Sequence, residues 1–163
     1  MGADNAAQTV ANAANMIAGI DTSTKAVHVA WFTNSGRFHS FDRFASNSKS
    51  PDIRLVGIGT ALVDGFRKAK LVAIEKPIYV QSGLTTISLS KMVGLTQFIT
   101  SSFSDKILLV DNKSWKKWIV GSGNASKPEI KEFAEAHLGQ IIKEQDHADA
   151  YCIGLWAVEE SKK

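Results

Sequence analysis

Four acidic residues of this chain lie in or beside apolar segments, where an ionised carboxylate is costly. Asp21 ends the run MIAGID and Glu75 ends the run LVAIE, and each run is typical of a buried strand. Asp146 and Asp149 lie in the segment EQDHADAYCIGLW. A buried carboxylate without a compensating partner costs several kcal/mol. Because no Arg is adjacent to any of the four in sequence, the pattern indicates compensation by a divalent metal ion.

The spacing of Asp146 and Asp149 places both on one face of a helix. Ile153 and Trp156 continue that face and are apolar, so the acidic pair extends the side that faces the sheet. Carboxylates from two strands and one helix then converge in one pocket. With ordinary pKa values near ~4 they repel one another at neutral pH. Mg²⁺ or Mn²⁺, which prefer oxygen ligands, would relieve that repulsion.

Taken singly, each acid has a simpler explanation. Asp146 and Asp149 can complement the dipole at the start of a helix. Asp21 can be a turn residue between strands, and Glu75 a surface charge at a strand end. The joint pattern is more specific, because three separate segments must all point to one place.

The elements that must position these acids follow from periodicity and turn residues. The strands are predicted over 16–23, 25–32, 37–44, 70–75 and 106–110, and the first three form an antiparallel meander. The helices are predicted over 52–68, 84–103, 111–118, 126–138 and 144–160. The first helix is predicted from apolar residues at Ile53, Val56, Ala61, Val63 and Phe66, and the fourth from a capping box, Ser126 to Glu129, with Gly139 at its end.

This order predicts an α/β fold with a five-stranded mixed sheet and helices on both faces. The first, fourth and fifth strands are expected to be parallel and central, which places Asp21 and Glu75 on neighbouring strands. With 163 residues, 44% of them apolar and 21% charged, the chain suits one globular domain over 16–160. Residues 1–15 are small and polar and are predicted to form a disordered tail without the features of a signal peptide.

Composition limits the partners and the cellular compartment that suit this protein. The net charge of +3 is compatible with a polyanionic partner without demanding one. The single cysteine, Cys152, cannot form an internal disulfide, fits a reducing compartment and is expected to be a buried structural thiol. No apolar run approaches the ~18–20 residues of a membrane span, so no membrane partner is expected.

Four segments occur in the order and approximate spacing of RuvC-type Holliday-junction resolvases: GIDTSTKAVHVAWF, VAIEKPIYV, IVGSGNASKPEI and DHADAYCIG. The chain from 16 to 160 is therefore similar to this family, which has the ribonuclease H-like fold, and its small, divergent form points to a bacteriophage or bacterial member. Asp21 matches the family's first-strand aspartate, Glu75 its fourth-strand glutamate, and Asp146 and Asp149 its carboxyl-terminal helix pair. The family has Asp or His at the first position of that pair, so His147 is at most a substitute for its neighbour.

The resemblance implies a structure-selective endonuclease that hydrolyses phosphodiester bonds with two Mg²⁺ ions about 4 Å apart, for which Mn²⁺ can substitute. Asp21 is the expected bridging ligand, Glu75 and Asp149 would hold one ion each, and Asp146 would complete or orient a ligand shell. Lys127 takes the place of the family's loop lysine near the scissile phosphate. Its alternative role is that of a solvated lysine in the first turn of a helix.

The densest basic stretch contains Lys113, Lys116, Lys117, Lys127 and Lys131, interleaved with Trp115 and Trp118. These lysines suit contact with DNA phosphates, or else form a solvated helix face, and the tryptophans suit the core. Lys116 also matches a second basic residue of the family. Ile78 and Tyr79 fall where relatives present an apolar residue to the open junction, although core packing is also open for Ile78.

The implied partners are a branched, four-way DNA and a second copy of the chain. A junction has two-fold symmetry and must be cut on two strands, which a symmetric homodimer achieves. The 84–103 helix occupies the position that pairs subunits in this family. No nucleotide cofactor is expected, and the expected location is the cytoplasm of a bacterial or phage-infected cell.

Three other functions use some of the same residues. Another ribonuclease H-like nuclease, acting on flaps, other branched DNA or RNA–DNA hybrids, would need the same carboxylates. An actin-like or sugar-kinase ATPase has a phosphate loop that GIDTSTKAV resembles, but it needs two such domains around a nucleotide. A non-catalytic junction-binding domain is disfavoured because all four carboxylates are intact.

Overall fold

Within residues 16–78, 80 and 82–163, which the computed structural model describes, five strands form one mixed sheet. They are β1 (Ile17–Thr22), β2 (Ala26–Phe32), β3 (Phe38–Ala45), β4 (Ala69–Glu75) and β5 (Ser104–Val110). Their order across the sheet is β3-β2-β1-β4-β5. The predicted antiparallel meander and the parallel pairing of β1 with β4 and of β4 with β5 are confirmed.

The expectation that the fifth strand is central is wrong, because β5 lies at the edge of the sheet. Its apolar run is explained by cover on both sides, because Val110 and Leu108 join one hydrophobic cluster and Ile107 joins the other, on the side where α2 (Gly83–Ser101) packs. Tyr79 and the predicted tail of residues 1–15 lie outside the described residues.

The other helices are α1 (Pro51–Gly65), α3 (Asn112–Val120), α4 (Lys127–Leu138) and α5 (Gln145–Glu160). The capping box between Ser126 and Glu129 is present at the start of α4, and Gly139 ends that helix with a φ of +75°. Helix α3 runs two residues further than the predicted 111–118 and ends at Gly121, which has a φ of +78°. No helix in the described part of the chain is long and apolar enough to cross a membrane.

The helices cover opposite faces of the sheet and enclose two hydrophobic clusters. Helices α3, α4 and α5 pack on one face over Ile17, Ala30 and Leu71. Helices α1 and α2 pack on the other face over Ala18, Val29 and Val72. Because side chains alternate along a strand, Asp21, His28 and Glu75 project toward the α5 face.

Helix α5 lies unusually close to β1, and two glycines make this possible. A Cβ atom on Gly19 would lie 2.1 Å from the backbone nitrogen of Gly154. A Cβ atom on Gly154 would lie 2.2 Å from the Phe32 ring. The absence of both side chains lets the middle of α5 pack directly against β1 and β2.

Helix α1 buries a different stripe from the apolar residues that predict it. Ile58 and Leu62 face the sheet, whereas Ile53, Val56 and Val63 are exposed. Cys152 is free and buried in α5, as predicted.

Candidate metal centre

Three of the four predicted carboxylates meet at the end of β1. Asp21, Asp146 and Asp149 each offer an oxygen, and these atoms lie within 4.8 Å of one another. Glu75 ends β4, which runs parallel to β1 with Ile20 paired to Ile74, so Glu75 follows beside Asp21. All four acids line one pocket of about 310 Å³.

The pocket disfavours the charged form of its acids. Desolvation raises the pKa of the Asp21 carboxyl well above its usual range, and the negative charges of the other three acids raise it further. Desolvation is also the largest cause that raises the pKa of Glu75 and of Asp149. A clustered set of oxygen donors whose ionisation is penalised in this way fits a hard divalent cation, which restores the charged form.

Two amide side chains hold these carboxylates, and the sequence reasoning missed both. The side-chain amide of Asn112 donates a hydrogen bond to Glu75 Oε1 and opposes the rise of its pKa. Gln145 Nε2 donates to Asp149 Oδ1 at 3.1 Å and to the backbone oxygen of Lys127 at 3.0 Å. The four-residue spacing of Gln145 and Asp149 was a usable signal, since such pairs meet on a helix.

Two of the predicted DNA-binding lysines line the same pocket. Lys127 is the first residue of α4, and its Nζ lies 3.8 Å from Asp146 Oδ1 with the side chain 67% exposed. Lys116 Nζ donates to the backbone oxygen of Ala125 at 3.2 Å and lies 5.6 Å from the centre of the Trp115 ring. Both charges oppose the raised pKa of Asp149.

The remaining predicted DNA contacts separate into two groups. Ile78 lines the pocket and is 50% exposed, so it is not part of the core. Lys113 and Lys117 are exposed on α3 and do not line the described pocket. Trp115 is buried, as expected for a core residue, whereas Trp118 is exposed.

The histidine next to Asp146 faces away from the carboxylates. His147 stacks on Phe41, with ring centroids 4.8 Å apart. A different histidine, His28 on β2, is buried with Nδ1 3.7 Å from Asp146 Oδ2. The signal for His28 in the sequence was a lone ionisable residue in the apolar run KAVHVAWF.

Comparison with protein-family models and with curated protein sequences finds no match. Solved structures do match. The structure of Thermus thermophilus RuvC has a TM-score of 0.67 and 16% identity, over 86% of this chain and 91% of that one. Thermus thermophilus RuvC in complex with a Holliday junction substrate has a TM-score of 0.72 and 16% identity, over 90% of this chain and 97% of that one.

This similarity confirms the predicted fold. The five-stranded mixed sheet with helices on both faces is the RuvC form of the ribonuclease H-like fold. At 16% identity the similarity establishes the fold alone, and the chemistry must be argued from the pocket.

Proposed function

We propose that this protein is a structure-selective endonuclease that resolves four-way DNA junctions by metal-dependent phosphodiester hydrolysis. The observation that carries the proposal is the convergence of Asp21, Glu75, Asp146 and Asp149 in one pocket, on β1, β4 and α5 of a RuvC fold. Such an activity serves DNA recombination and repair, in the cytoplasm of a bacterial or phage-infected cell. It needs no nucleotide cofactor and no membrane.

The donor set suits Mg²⁺, with Mn²⁺ as a substitute, and two ions are proposed because four carboxylates share the pocket. Asp21 would contribute to both, since it lies between Glu75 on one side and the α5 pair on the other. When bound, a pair of such ions activates water and stabilises the leaving oxygen of an in-line displacement. The carboxylates hold that position, and Asn112 and Gln145 fix the orientation of Glu75 and Asp149.

The cationic side of the pocket would bind the DNA backbone. Lys127 is exposed beside Asp146 and can place its ammonium group against the scissile phosphate, where negative charge increases during the displacement. Lys116 is anchored on Ala125 and lines the same pocket, so it adds a second phosphate contact. Ile78 at the pocket wall offers an apolar surface to an unstacked base.

We also propose a symmetric homodimer, because the four acids in the described residues of one chain form a single pocket and a junction is cut on two strands. Helix α2 presents Leu84, Ile87 and Phe98 to solvent, with Leu84 79% and Phe98 74% exposed. These residues lie on one face of the helix at spacings of 3 and 11. Gly94 lies on the same face with open space around it, which would let a second helix approach closely.

The test is cleavage of a synthetic mobile four-way junction with Mg²⁺, with a flap and an RNA–DNA hybrid as parallel substrates. We expect paired, symmetric nicks in the junction and slower cleavage of the other two. Faster cleavage of the hybrid would replace this proposal with a different ribonuclease H-like nuclease. Asp21→Asn should lower junction cleavage by at least about 10³-fold while binding persists, and full activity of that variant would remove Asp21 from the active site.

A further inference from the structure

The least expected residue near the metal centre is His28, which is 2% exposed in the middle of β2. It pairs with Asp21 across the β1–β2 ladder, so the two side chains project from the same face of the sheet. That face is covered by α5, which carries Asp146 and Asp149. The ring of His28 is therefore held between the strand that bears one carboxylate and the helix that bears two others.

The two nitrogens of this ring have different surroundings. Nε2 lies 3.0 Å from Glu144 Oε2, and Arg43 Nε lies 3.3 Å from the same oxygen. An ionised carboxylate only accepts hydrogen bonds, so in the neutral form of the ring Nε2 carries the hydrogen and donates it to Glu144. This leaves Nδ1 with a lone pair, and among the described residues Nδ1 is buried without a hydrogen-bond partner.

An unpartnered acceptor inside a protein is unfavourable unless something binds it. His28 Nδ1 lies 3.7 Å from Asp146 Oδ2, while Oδ1 of the same carboxylate faces Lys127. Two donors about 2.1 Å from one cation are ~3.0 Å apart when adjacent and ~4.2 Å apart when opposite. The separation of Nδ1 and Oδ2 falls within that interval. A histidine that ligates a metal commonly donates its other ring N–H to a carboxylate, as His28 does to Glu144.

We propose that His28 Nδ1 is a ligand of the cation that Asp146 holds, which makes the centre a mixed nitrogen and oxygen site. The inference rests on the metal centre of the proposed function and gives Asp146 a partner ligand outside the group of Asp21, Asp146 and Asp149, whose donor atoms lie within 4.8 Å of one another. Imidazole nitrogen binds Mn²⁺ and later transition metals more readily than Mg²⁺. The centre is therefore expected to bind Mn²⁺ more tightly than a site of carboxylates alone.

The direct test is pulsed electron paramagnetic resonance of the protein loaded with Mn²⁺, which detects ¹⁴N bound to the ion without any cleavage assay. The unsubstituted protein should show ¹⁴N modulation from a ligated imidazole, and growth with ¹⁵N-labelled histidine should replace it with the ¹⁵N pattern. This measurement needs no variant, so a folding defect cannot obscure it. Bound Mn²⁺ without histidine modulation would overturn the proposal and leave the carboxylate centre standing.

Substitutions assign the signal to one residue. His28→Asn should abolish the modulation and weaken Mn²⁺ binding by about tenfold, with Mg²⁺ binding changed less. His147→Asn is the matched control, because His147 lies beside His28 with ring centroids 4.8 Å apart but faces away from the carboxylates. Modulation that survives His28→Asn and vanishes in His147→Asn would contradict the assignment. Absence of any Mn²⁺ binding, in the presence of folded protein, would refute both this inference and the proposed metal centre.

Discussion

Proteins usually bury apolar side chains and expose charged ones, and the two faces of this sheet depart from that rule in opposite ways. On the face covered by α3, α4 and α5, ionisable groups such as Asp149 and His28 are buried. On the face covered by α1 and α2, large apolar side chains are left in solvent, among them Ile53, Leu84 and Phe98. Neither arrangement serves the stability of an isolated chain, since the first desolvates charge and the second leaves apolar area in water.

This difference between buried charge and exposed apolar surface is the reason for proposing a different kind of partner at each face. A bound cation stabilises the ionised form of carboxylates whose pKa is raised, which is the reason for proposing metal ions at the α5 face. Exposed apolar residues at helical spacing are stabilised by contact with another apolar surface, which is the reason for proposing a protein partner at the α2 face. The proposals for the two faces can be tested separately, and the effects expected from them differ in size.

Apart from the loss of cleavage expected for Asp21→Asn, the largest effect is expected at the apolar face. Phe98→Asp places a charge in the proposed dimer contact and should raise its dissociation constant by about 10²-fold. Sedimentation velocity over a concentration series measures this shift. Ile141→Asp, an equally radical change at another exposed apolar residue, should leave the association unchanged. A wild-type protein that is monomeric throughout the series would contradict the proposed dimer.

A smaller effect is expected at the cationic rim of the metal centre. Lys127→Ala should slow junction cleavage by about 30-fold, since it removes one charge that stabilises the displacement. Lys131→Ala is the control on the same helix, because its Nζ pairs with Glu135 at 3.9 Å rather than with the pocket acids. Single-turnover cleavage rates at saturating enzyme distinguish chemistry from binding. Equal rates for the two variants would exclude a specific role for Lys127.

Without metal, the acid pocket should make the fold less stable as pH rises. The pKa of Asp21 is raised in the folded state, so folded protein binds the proton more strongly than unfolded protein does. The free energy of unfolding therefore falls as pH rises from the unfolded pKa through the raised one, by up to about 1.4 kcal/mol per pH unit for this group.

Urea denaturation of metal-free protein at pH 5 and pH 7 measures this dependence. Asp21→Asn removes the contribution of that carboxyl, so the difference between variant and wild type isolates it from other titrating groups. We expect the variant to gain stability relative to wild type at pH 7 and to have a smaller advantage at pH 5. Saturating Mg²⁺ should cancel the gain at pH 7. An advantage that grows as pH falls would reverse the assigned sign.

The smallest effect is expected from the residue that supports Glu75. Asn112→Ala removes a hydrogen bond that lowers the pKa of Glu75, so that pKa should rise further. Cleavage at neutral pH should fall about fivefold, less than the ~10–100-fold typical for loss of a group that supports a metal ligand, and its pH profile should move to higher pH. Asn124→Ala, in the exposed loop before α4, is the control and should change neither quantity.

Much of the architecture was accessible from local pattern. Alternation and apolar runs located all five strands of the sheet within the described residues to within two residues, and Ser126, Glu129 and Gly139 bounded α4. These signals depend on neighbours a few positions away, which is why they can be identified in one sequence. The ends of β1 and β4 likewise indicated that Asp21 and Glu75 would lie side by side.

Other features depended on packing between distant segments. The contact of His28 with Glu144 joins residues 116 positions apart and exists because Gly19 and Gly154 allow α5 to approach β1. Local pattern also could not separate Lys127, at the pocket, from Lys113 and Lys117, which point elsewhere on α3. It placed β5 in the centre, because an edge strand that packs into the core on both faces has the same apolar run as a central strand.

The sequence by itself determined the order of the elements, the four acids and the fold family that they resemble, since each rests on residue type and short-range spacing. Only the tertiary structure decided which polar groups surround those acids and which apolar residues remain in solvent. The physical reason is that burial and ligand geometry are properties of surfaces brought together by folding. The local sequence around Phe98 does not show whether another segment covers it, and the sequence around His28 does not show which groups surround its ring.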